Sequence, residues 1–260
     1  MNQEERRIWL IKELQKEKLH YRRIKIPSDE KGQCELLRSL LNVRPPVPVS
    51  NDFLEIQDEY LRVRNIQRGI TEIEDLNPVK ADKRLFLWKG DITTLKCDAI
   101  VNAANSQMLG CFQPMHGCID NFIHTYAGVQ LRLKCNELMQ KQGYEEPTGQ
   151  AKITPAYNLP SKYVLHTVGP IVRWEVTESE RMLLKNCYRS CLELAEANGI
   201  ESIAFCCIST GVFCFPRKPA AEIAVSTVLE FLKKSDNIKK VIFNVFKDED
   251  LNIYNKILNT

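Results

Sequence analysis

The amino-acid sequence predicts an α/β protein in which a sheet lies between layers of helices, preceded by a helical segment. From about residue 82 onward, apolar runs of strand length alternate with longer stretches of helical periodicity, as in layered α/β domains. Before that point the chain is rich in Glu, Gln, Arg and Leu and shows only helical periodicity. We therefore divide it into a helical N-terminal extension, residues 1–81, and an α/β domain, residues 82–260.

Three helices are expected in the extension. Apolar residues recur at helical spacing in residues 8–14 and again in residues 33–41. The second of these helices should end at the proline-rich residues 44–48, because proline cannot continue a helix. A third helix is predicted over residues 52–65. No cluster of chemically reactive side chains stands out in this part of the chain.

The α/β domain is expected to hold six strands and four helices. The strands are predicted at residues 84–89, 98–102, 150–155, 162–167, 202–208 and 240–246. The helices are predicted at residues 121–140, 178–198 and 219–233, and from residue 248 to the end. Gly199 is a usual residue just after a helix, and Pro219 fits a first helical turn. In such folds, ligands bind at the carboxyl ends of the strands.

Composition narrows the class of protein. The chain is 44% hydrophobic and 27% charged, with a formal net charge of +3, which is ordinary for a globular protein. Nucleic-acid and membrane-surface binding need clustered basic charge, so we expect neither partner. No stretch has the length and apolar character of a signal peptide or a membrane span. These features predict a cytoplasmic protein.

The ten cysteines are the most informative part of the composition. In the cytosol they are reduced thiols, metal ligands or core residues rather than a disulfide framework. Most lie in apolar helix or strand patterns, but Cys111 and Cys118 share a short loop with His116. Three such donors suit one zinc ion with an open fourth position, the arrangement of catalytic zinc sites. A chance cluster, a redox pair and a structural metal site remain as alternatives.

Three further motifs follow predicted strands. They are Gly-Asp-Ile-Thr at residues 90–93, Val-Asn-Ala-Ala-Asn-Ser at residues 101–106, and Ile-Ser-Thr-Gly-Val-Phe at residues 208–213. The first two could simply cap a turn with Asp or Asn side chains. The third leads toward a helix N-terminus, where backbone N–H groups can hold a phosphate or can form a plain turn.

Taken together, these motifs resemble the macrodomains, which bind ADP-ribose. The matching stretches are residues 90–93, 100–106, 147–151, 166–170 and 208–213. The resemblance extends from about residue 84 to about residue 258. It implies a three-layer α/β/α fold with a six-stranded mixed sheet, in which ADP-ribose lies across the strand ends.

One departure from the family pattern refines this resemblance. Ordinary macrodomains have a glycine-rich loop where this chain carries Cys111, His116 and Cys118. This loop and the helical extension are similar to those of the zinc-dependent macrodomains of bacterial pathogens. Members of that subfamily are ADP-ribosyl hydrolases, found beside a sirtuin-type ADP-ribosyltransferase and a lipoylated carrier protein of the glycine-cleavage type. The resemblance therefore implies a mono-ADP-ribosylated protein as substrate.

The resemblance also implies roles for single residues. Asp91 and Ile92 match the positions that bind the adenine amino group, and Phe246 is placed to stack on the adenine ring. Asn105 matches the residue at the distal ribose hydroxyls. Asp120 matches the acid that acts on the distal ribose and orients water, and Asn121 is expected to help fix that ribose. The second phosphate loop comprises Ser209, Thr210, Gly211, Val212 and Phe213.

These roles describe a hydrolase that releases ADP-ribose from a modified side chain through a transition state resembling an oxocarbenium ion. The zinc would lie near the distal ribose. His124 and His166 are expected to be interior residues rather than ligands. The competing hypothesis is a non-catalytic reader that binds ADP-ribose and carries a structural zinc. Such a reader would need no acid beside its metal loop, whereas this chain has Asp120 there.

Overall fold

A six-stranded sheet forms the centre of the molecule, whose computed structural model describes residues 1–259. In spatial order its strands are β2 (Leu85–Lys89), β8 (Lys240–Val245), β7 (Ser202–Phe205), β4 (Ala99–Ala104), β6 (Tyr163–Val168) and β5 (Ala151–Pro155). All neighbours are parallel except β5 and β6, which pair antiparallel. The predicted mixed sheet is confirmed. A short parallel pair, β1 (Thr71–Glu72) with β3 (Leu95–Lys96), lies apart from it.

Helices cover the sheet and complete the predicted three layers. They are α4 (Ile119–Ala127), α5 (Val129–Gln142), α6 (Glu178–Ala197), α7 (Arg217–Leu232) and α8 (Asp248–Asn259). Helices α4 and α5 pack on β4 and β5, α6 packs on β5 and β6, and α8 packs on β2 and β8, while α7 packs between α6 and α8. The central strand β4 is almost wholly buried, which explains its continuous apolar run, since a parallel strand covered on both faces has no solvent side.

Two predicted elements differ from the structure. The single helix expected over residues 121–140 is two helices, because Gly128 adopts φ 98° between α4 and α5. Only glycine takes this backbone region readily, and a break of one residue leaves the apolar periodicity nearly intact. The strand expected over residues 202–208 ends at Phe205. Beyond it the chain leaves the sheet and turns toward Ser209, which has φ 64°.

The extension forms three helices: α1 (Gln3–Lys16), α2 (Glu30–Val43) and α3 (Asn51–Gln67). Each begins with a polar cap, in which Asn2, Asp29 and Ser50 accept a backbone N–H of the first turn. Their apolar faces form a separate core cluster, to which the rest of the chain contributes Val129. Among residues 1–259, no helix combines the length and hydropathy needed to cross a bilayer.

Candidate functional site

A cleft of about 580 Å³ opens where the parallel strands end. Its lining includes the residues that directly follow β2, β4, β7 and β8. Because these four strands run parallel, their carboxyl ends meet at one edge of the sheet, where open α/β sheets bind ligands. The volume falls in the range of sites for small molecules and cofactors. All but one of the predicted site residues line this cleft, and the exception is Asn121.

Asp91 lies in the cleft after β2 and is held by two neighbours. Its Oδ1 accepts hydrogen bonds from the backbone N–H of Thr93 at 2.9 Å and from the Thr93 hydroxyl at 2.6 Å. Its Oδ2 accepts from Arg68, whose guanidinium lies 3.4 Å from the centre of the Tyr126 ring. A carboxylate offers about four acceptor positions. Asp91 therefore keeps acceptor capacity for a ligand while its charge is balanced by Arg68.

Asp120 lies in the first turn of α4 and is 5% exposed. Its Oδ1 accepts a hydrogen bond of 2.8 Å from the side-chain amide of Asn102, and its Oδ2 lies 3.5 Å from the Asn105 amide. Burial raises the pKa of the Asp120 carboxyl to about 6, against the lowering effects of Asn102 and of the Arg132 charge. A carboxylate held in this way is oriented by the strand beneath it rather than by solvent.

A chain of hydrogen bonds continues behind Asp120 into the sheet. The Asn102 amide lies 3.2 Å from Nδ1 of His166, and Nε2 of His166 lies 2.9 Å from the Thr154 hydroxyl. Burial lowers the pKa of His166 to about 3, so the ring is neutral at ordinary pH. Asn102, Thr154 and His166 are each at most 1% exposed. The network fixes Asp120 through three neighbouring strands without adding a charge.

Cys111, His116 and Cys118 come together at the same end of the cleft as Asp120. Their donor atoms all lie within 4.8 Å of one another, and Sγ of Cys111 is 3.5 Å from Nδ1 of His116. Tetrahedral zinc with ligands at 2.0–2.3 Å needs comparable separations. Burial raises the pKa of the Cys118 thiol to about 12, and the nearby Cys111 sulfur adds to this rise. A bound cation would offset the cost of deprotonating this buried thiol, so the residues fit a metal ion.

The loop after β7 lines the cleft and contains free backbone donors. Within the described chain, the N–H groups of Ser209, Gly211, Val212 and Phe213 have no hydrogen-bond partner. Thr210 also lines the cleft, and helix α7 begins a few residues later at Arg217. Successive free N–H groups near a helix N-terminus form an anion site. Phe246 stands at the rim and is 72% exposed, so its ring is available to stack on a flat ligand.

A second group of donors lies beneath the cleft and was not predicted as a cluster. His124, Cys135 and His166 place their donor atoms within 4.8 Å of one another, and all three are buried. Cys135 comes 3.9 Å from Nε2 of His166, while both ring nitrogens of His124 lack a hydrogen-bond partner in the described structure. His124 and His166 are interior residues and do not line the cleft.

Asn121 is fully buried and does not line the cleft. Its amide donates to the carbonyls of Cys111 and Gln113 at 3.4 and 3.0 Å. The sequence predicted Asn121 at the ribose and gave no sign of its contact with the loop, and the contributions of Arg38 and Arg68 from the extension were missed. Arg38 and Asn42 lie about one helical turn apart on a helix with an apolar face, a pattern typical of a solvated face, so the sequence carried no signal for either.

Comparisons with known proteins show what the chain is similar to. The profile of the Macro domain family matches residues 101–224. The chain is 58% identical over 261 residues to a Treponema medium protein named protein-ADP-ribose hydrolase, and the alignment covers 100% of both. It is 45% identical over 258 residues to a Fusarium oxysporum f. sp. cubense protein named probable bifunctional ADP-ribose hydrolase/ADP-ribosyltransferase, covering 92% of this chain and 43% of that one. A Trypanosoma brucei macrodomain solved in complex with ADP-ribose superimposes with TM-score 0.66 at 32% identity, covering 85% of this chain and 94% of that chain.

Proposed function

The chain belongs to the macro domain family, and from that premise we propose that it is a zinc-dependent hydrolase that removes mono-ADP-ribose from modified protein side chains. One observation carries the proposal. The cleft brings a buried, hydrogen-bonded carboxylate, Asp120, to the same end as three soft metal donors. Binding alone needs no such pair, whereas hydrolysis of a glycosidic bond needs an oriented acid or base beside the anomeric carbon.

Cys111, His116 and Cys118 would hold the zinc ion. Three donors from the protein leave a coordination position for water or substrate, as in catalytic rather than structural sites. When bound there, zinc supplies a positive charge that polarises oxygen ligands and lowers the pKa of water. No fourth donor belongs to this group among the described residues, which supports an open position.

The protein's own residues would bind and orient the substrate along the cleft. Asp91 and the Ile92 backbone would take the adenine end, with Phe246 stacking on the ring. The free N–H groups of Ser209, Gly211, Val212 and Phe213, beside Thr210, would hold the diphosphate. At the distal ribose, Asn105 would bind hydroxyl groups and Asp120 would orient water or take its proton. Orientation of this kind removes much of the entropic barrier.

Relatives support the choice of substrate and partners. A protein named protein-ADP-ribose hydrolase that is 58% identical over the full length favours a modified protein over free ADP-ribose derivatives. The fungal relative whose name joins a hydrolase to an ADP-ribosyltransferase favours a transferase as functional partner, which we propose to be of the sirtuin type. We propose a lipoylated carrier protein as substrate and a cytoplasmic location, in line with ten free thiols.

The deciding experiment measures release of ADP-ribose from a mono-ADP-ribosylated carrier protein, before and after chelation, with zinc assayed on the same sample. We expect about one zinc per chain and release that stops on chelation and returns when zinc is added back. The control is Asp120→Asn, which keeps the shape and removes the charge. It should retain zinc but lose release.

Two other outcomes would contradict the proposal. Tight ADP-ribose binding without release from acidic, Ser or Arg linkages would make the protein a reader. Release that survives complete zinc removal, together with a lowered thermal midpoint, would make the metal structural. Differential scanning fluorimetry of the chelated sample separates this second outcome from simple unfolding.

A further inference from the structure

The loop between residues 109 and 118 has little internal structure of its own. Within it, one backbone hydrogen bond is formed, from the His116 N–H to the Gln113 carbonyl at 3.3 Å. Met115 adopts φ 56° and Gly110 φ 80°, outside the regular regions. A loop of this kind is held by other parts of the protein or is mobile. The side chains that bind its backbone therefore decide where its three donors lie.

Arg38 of helix α2 binds this loop directly. Its Nη2 donates to the His116 carbonyl at 2.8 Å and to Oδ1 of Asn121 at 2.7 Å. Its Nε lies 3.3 Å from the same Oδ1, and the guanidinium rests 4.2 Å from the centre of the Phe122 ring. A planar guanidinium that bonds through its fork and stacks on an aromatic ring has one defined position.

Through Asn121, the hold of Arg38 reaches all three donors. The Asn121 side chain donates to the Cys111 carbonyl at 3.4 Å, and its backbone N–H donates to Sγ of Cys118 at 3.4 Å. Arg38 itself takes the His116 carbonyl. Arg38 thus orients Asn121, which contacts Cys111 and Cys118. Arg38 also contacts His116 directly.

A second residue of α2 supports the same loop. Asn42, one turn after Arg38 and 1% exposed, accepts the Met115 N–H at 3.1 Å and donates to the Thr125 hydroxyl at 3.0 Å. This hydrogen bond holds Met115 in its left-handed conformation, which is costly without support. The same face of α2 therefore contacts the loop at two points.

We propose that Arg38 is a positioning residue for the Cys111, His116 and Cys118 site, so that helix α2 of the extension is part of the metal centre. The inference rests on the metal site of the proposed function, and Arg38 neither lines the cleft nor belongs to the three-donor group. Residues that orient metal ligands typically change metal affinity by about 10–100-fold when they are replaced. The extension therefore has a role in positioning the loop, which could not be predicted from its sequence.

The test compares Arg38→Lys with Arg64→Lys. Lysine keeps the charge but cannot reproduce the bonding of a planar fork. Arg64, on α3, is similarly half-buried but contacts Gln67 and Glu30 rather than the loop, which makes it the matched control. Two quantities are measured: the rate of zinc transfer from the loaded protein to a chromogenic chelator, and hydrogen exchange of metal-free protein in peptides covering residues 109–121.

We expect Arg38→Lys to release zinc about 10-fold faster or more than wild type and Arg64→Lys. We also expect faster exchange in residues 109–121, with unchanged exchange in the distant strand β8. Returning arginine to position 38 should restore slow release, which excludes a secondary change. Equal zinc release in both variants would overturn the inference, as would an equal rise in exchange at β8, which would mark Arg38 as a general stabiliser.

The zinc-release and hydrogen-exchange measurements can still be interpreted if the proposed function is wrong. A wild-type protein without bound zinc, or without hydrolase activity, would refute that function in the wild-type sample alone. The exchange comparison uses metal-free protein, so it still reports whether Arg38 holds the loop. Conversely, the wild type could be active and contain zinc while Arg38→Lys leaves zinc release and hydrogen exchange unchanged. That result would refute only the role of Arg38.

Discussion

The side-chain amide of Asn102 donates a hydrogen bond of 2.8 Å to Oδ1 of Asp120, joining the central strand β4 to the first turn of α4. Both residues are buried, and the same amide meets His166 on β6. Asp120 is therefore oriented from within the sheet. The orientation of the carboxylate that we propose to act in hydrolysis therefore depends on a residue that does not line the cleft.

We predict that Asn102→Leu lowers kcat for ADP-ribose release by about 10-fold or more, since the carboxylate loses its orienting donor. The affinity for ADP-ribose should change little, because Asn102 does not line the cleft. Turnover at saturating substrate and calorimetry with ADP-ribose measure the two effects. The cost in unfolding free energy is about 1–3 kcal/mol, that of an unpaired buried polar group. An unchanged kcat in a folded variant would contradict the role assigned to Asn102.

Replacing the proposed metal donors should separate turnover from binding. In Cys118→Ala or His116→Ala we expect loss of zinc and of ADP-ribose release, while ADP-ribose binding largely persists. The reason is that Asp91 and the 209–213 loop are cleft residues outside the three-donor group. Calorimetry and turnover on the same preparations check this. A parallel fall in both would show that the metal loop also shapes the nucleotide site.

Arg68 should matter for nucleotide affinity rather than for chemistry. It binds Asp91 and Thr93 and stacks on Tyr126. In Arg68→Gln, Asp91 loses an oriented charged partner worth about 1–2 kcal/mol, which corresponds to roughly 5–30-fold weaker ADP-ribose binding. Binding is measured by calorimetry, with Arg62→Gln, an exposed residue of the same extension, as control. Equal affinities for the two variants would refute this role.

Acid should destabilise the fold through His166. Burial holds the pKa of His166 at about 3 in the folded protein, whereas a free histidine has a pKa of about 6.5. Below about pH 6.5 the unfolded chain therefore binds more protons than the folded one, and stability falls as the pH drops toward 3. The slope approaches about 1.4 kcal/mol per pH unit for one such group.

The check is urea unfolding of wild type and His166→Gln between pH 7 and pH 4.5. Stability of the wild type should fall more steeply than that of the variant. Asp120, whose raised pKa acts in the opposite direction, and the buried His124 and Cys135 face this region in both proteins. The difference between the two slopes therefore isolates His166. Identical slopes would mean that burial does not lower the pKa of His166 below that of a free histidine.

The break between α4 and α5 depends on a glycine. At Gly128, φ is 98°, and an added Cβ would lie 2.6 Å from Oε1 of Gln130 and 2.7 Å from Nε2 of Gln57. We predict that Gly128→Ala lowers the unfolding free energy by about 1–3 kcal/mol. Gly143→Ala is the comparison, since Gly143 lies in the left-handed helical region, with φ 81° and ψ 3°, and an added Cβ would meet nothing within 4 Å. It should lose less, because Gly128, with ψ 174°, lies in a region that essentially only glycine adopts. Denaturant melts measure the loss of unfolding free energy in each variant. Equal losses in the two variants would contradict a steric contribution from Gln57 and Gln130.

The strands could be predicted from sequence because buried parallel strands are continuous apolar runs. The grouping of the three candidate metal donors was also predictable, since Cys111, His116 and Cys118 are close along the chain and a short loop must keep them close. The break at Gly128 was missed because the apolar pattern continues across it. Whether a glycine bends a helix depends on what packs against it, which local pattern does not contain.

The part played by the extension could not be read from sequence in the same way. Arg38 and Asn121 are 83 residues apart, as are Asn42 and Thr125. Nothing in the neighbourhood of either residue encodes such a distant meeting, and an arginine on a helix is most often solvated. Only the docking of α2 against α4 turns Arg38 from a surface charge into a support for the loop.

The helical extension is synthesised before the residues that hold it in place. Asn65 donates a hydrogen bond of 2.6 Å to the carbonyl of Asn158, 93 residues later, and Gln57 accepts the Val129 N–H at 3.0 Å. Because a ribosome delivers the N-terminus first, the three helices emerge before their receiving surface exists. They can dock fully only after Asn158 has left the exit tunnel, so a pause in translation before that point prolongs the exposure of their apolar faces to chaperones and proteases.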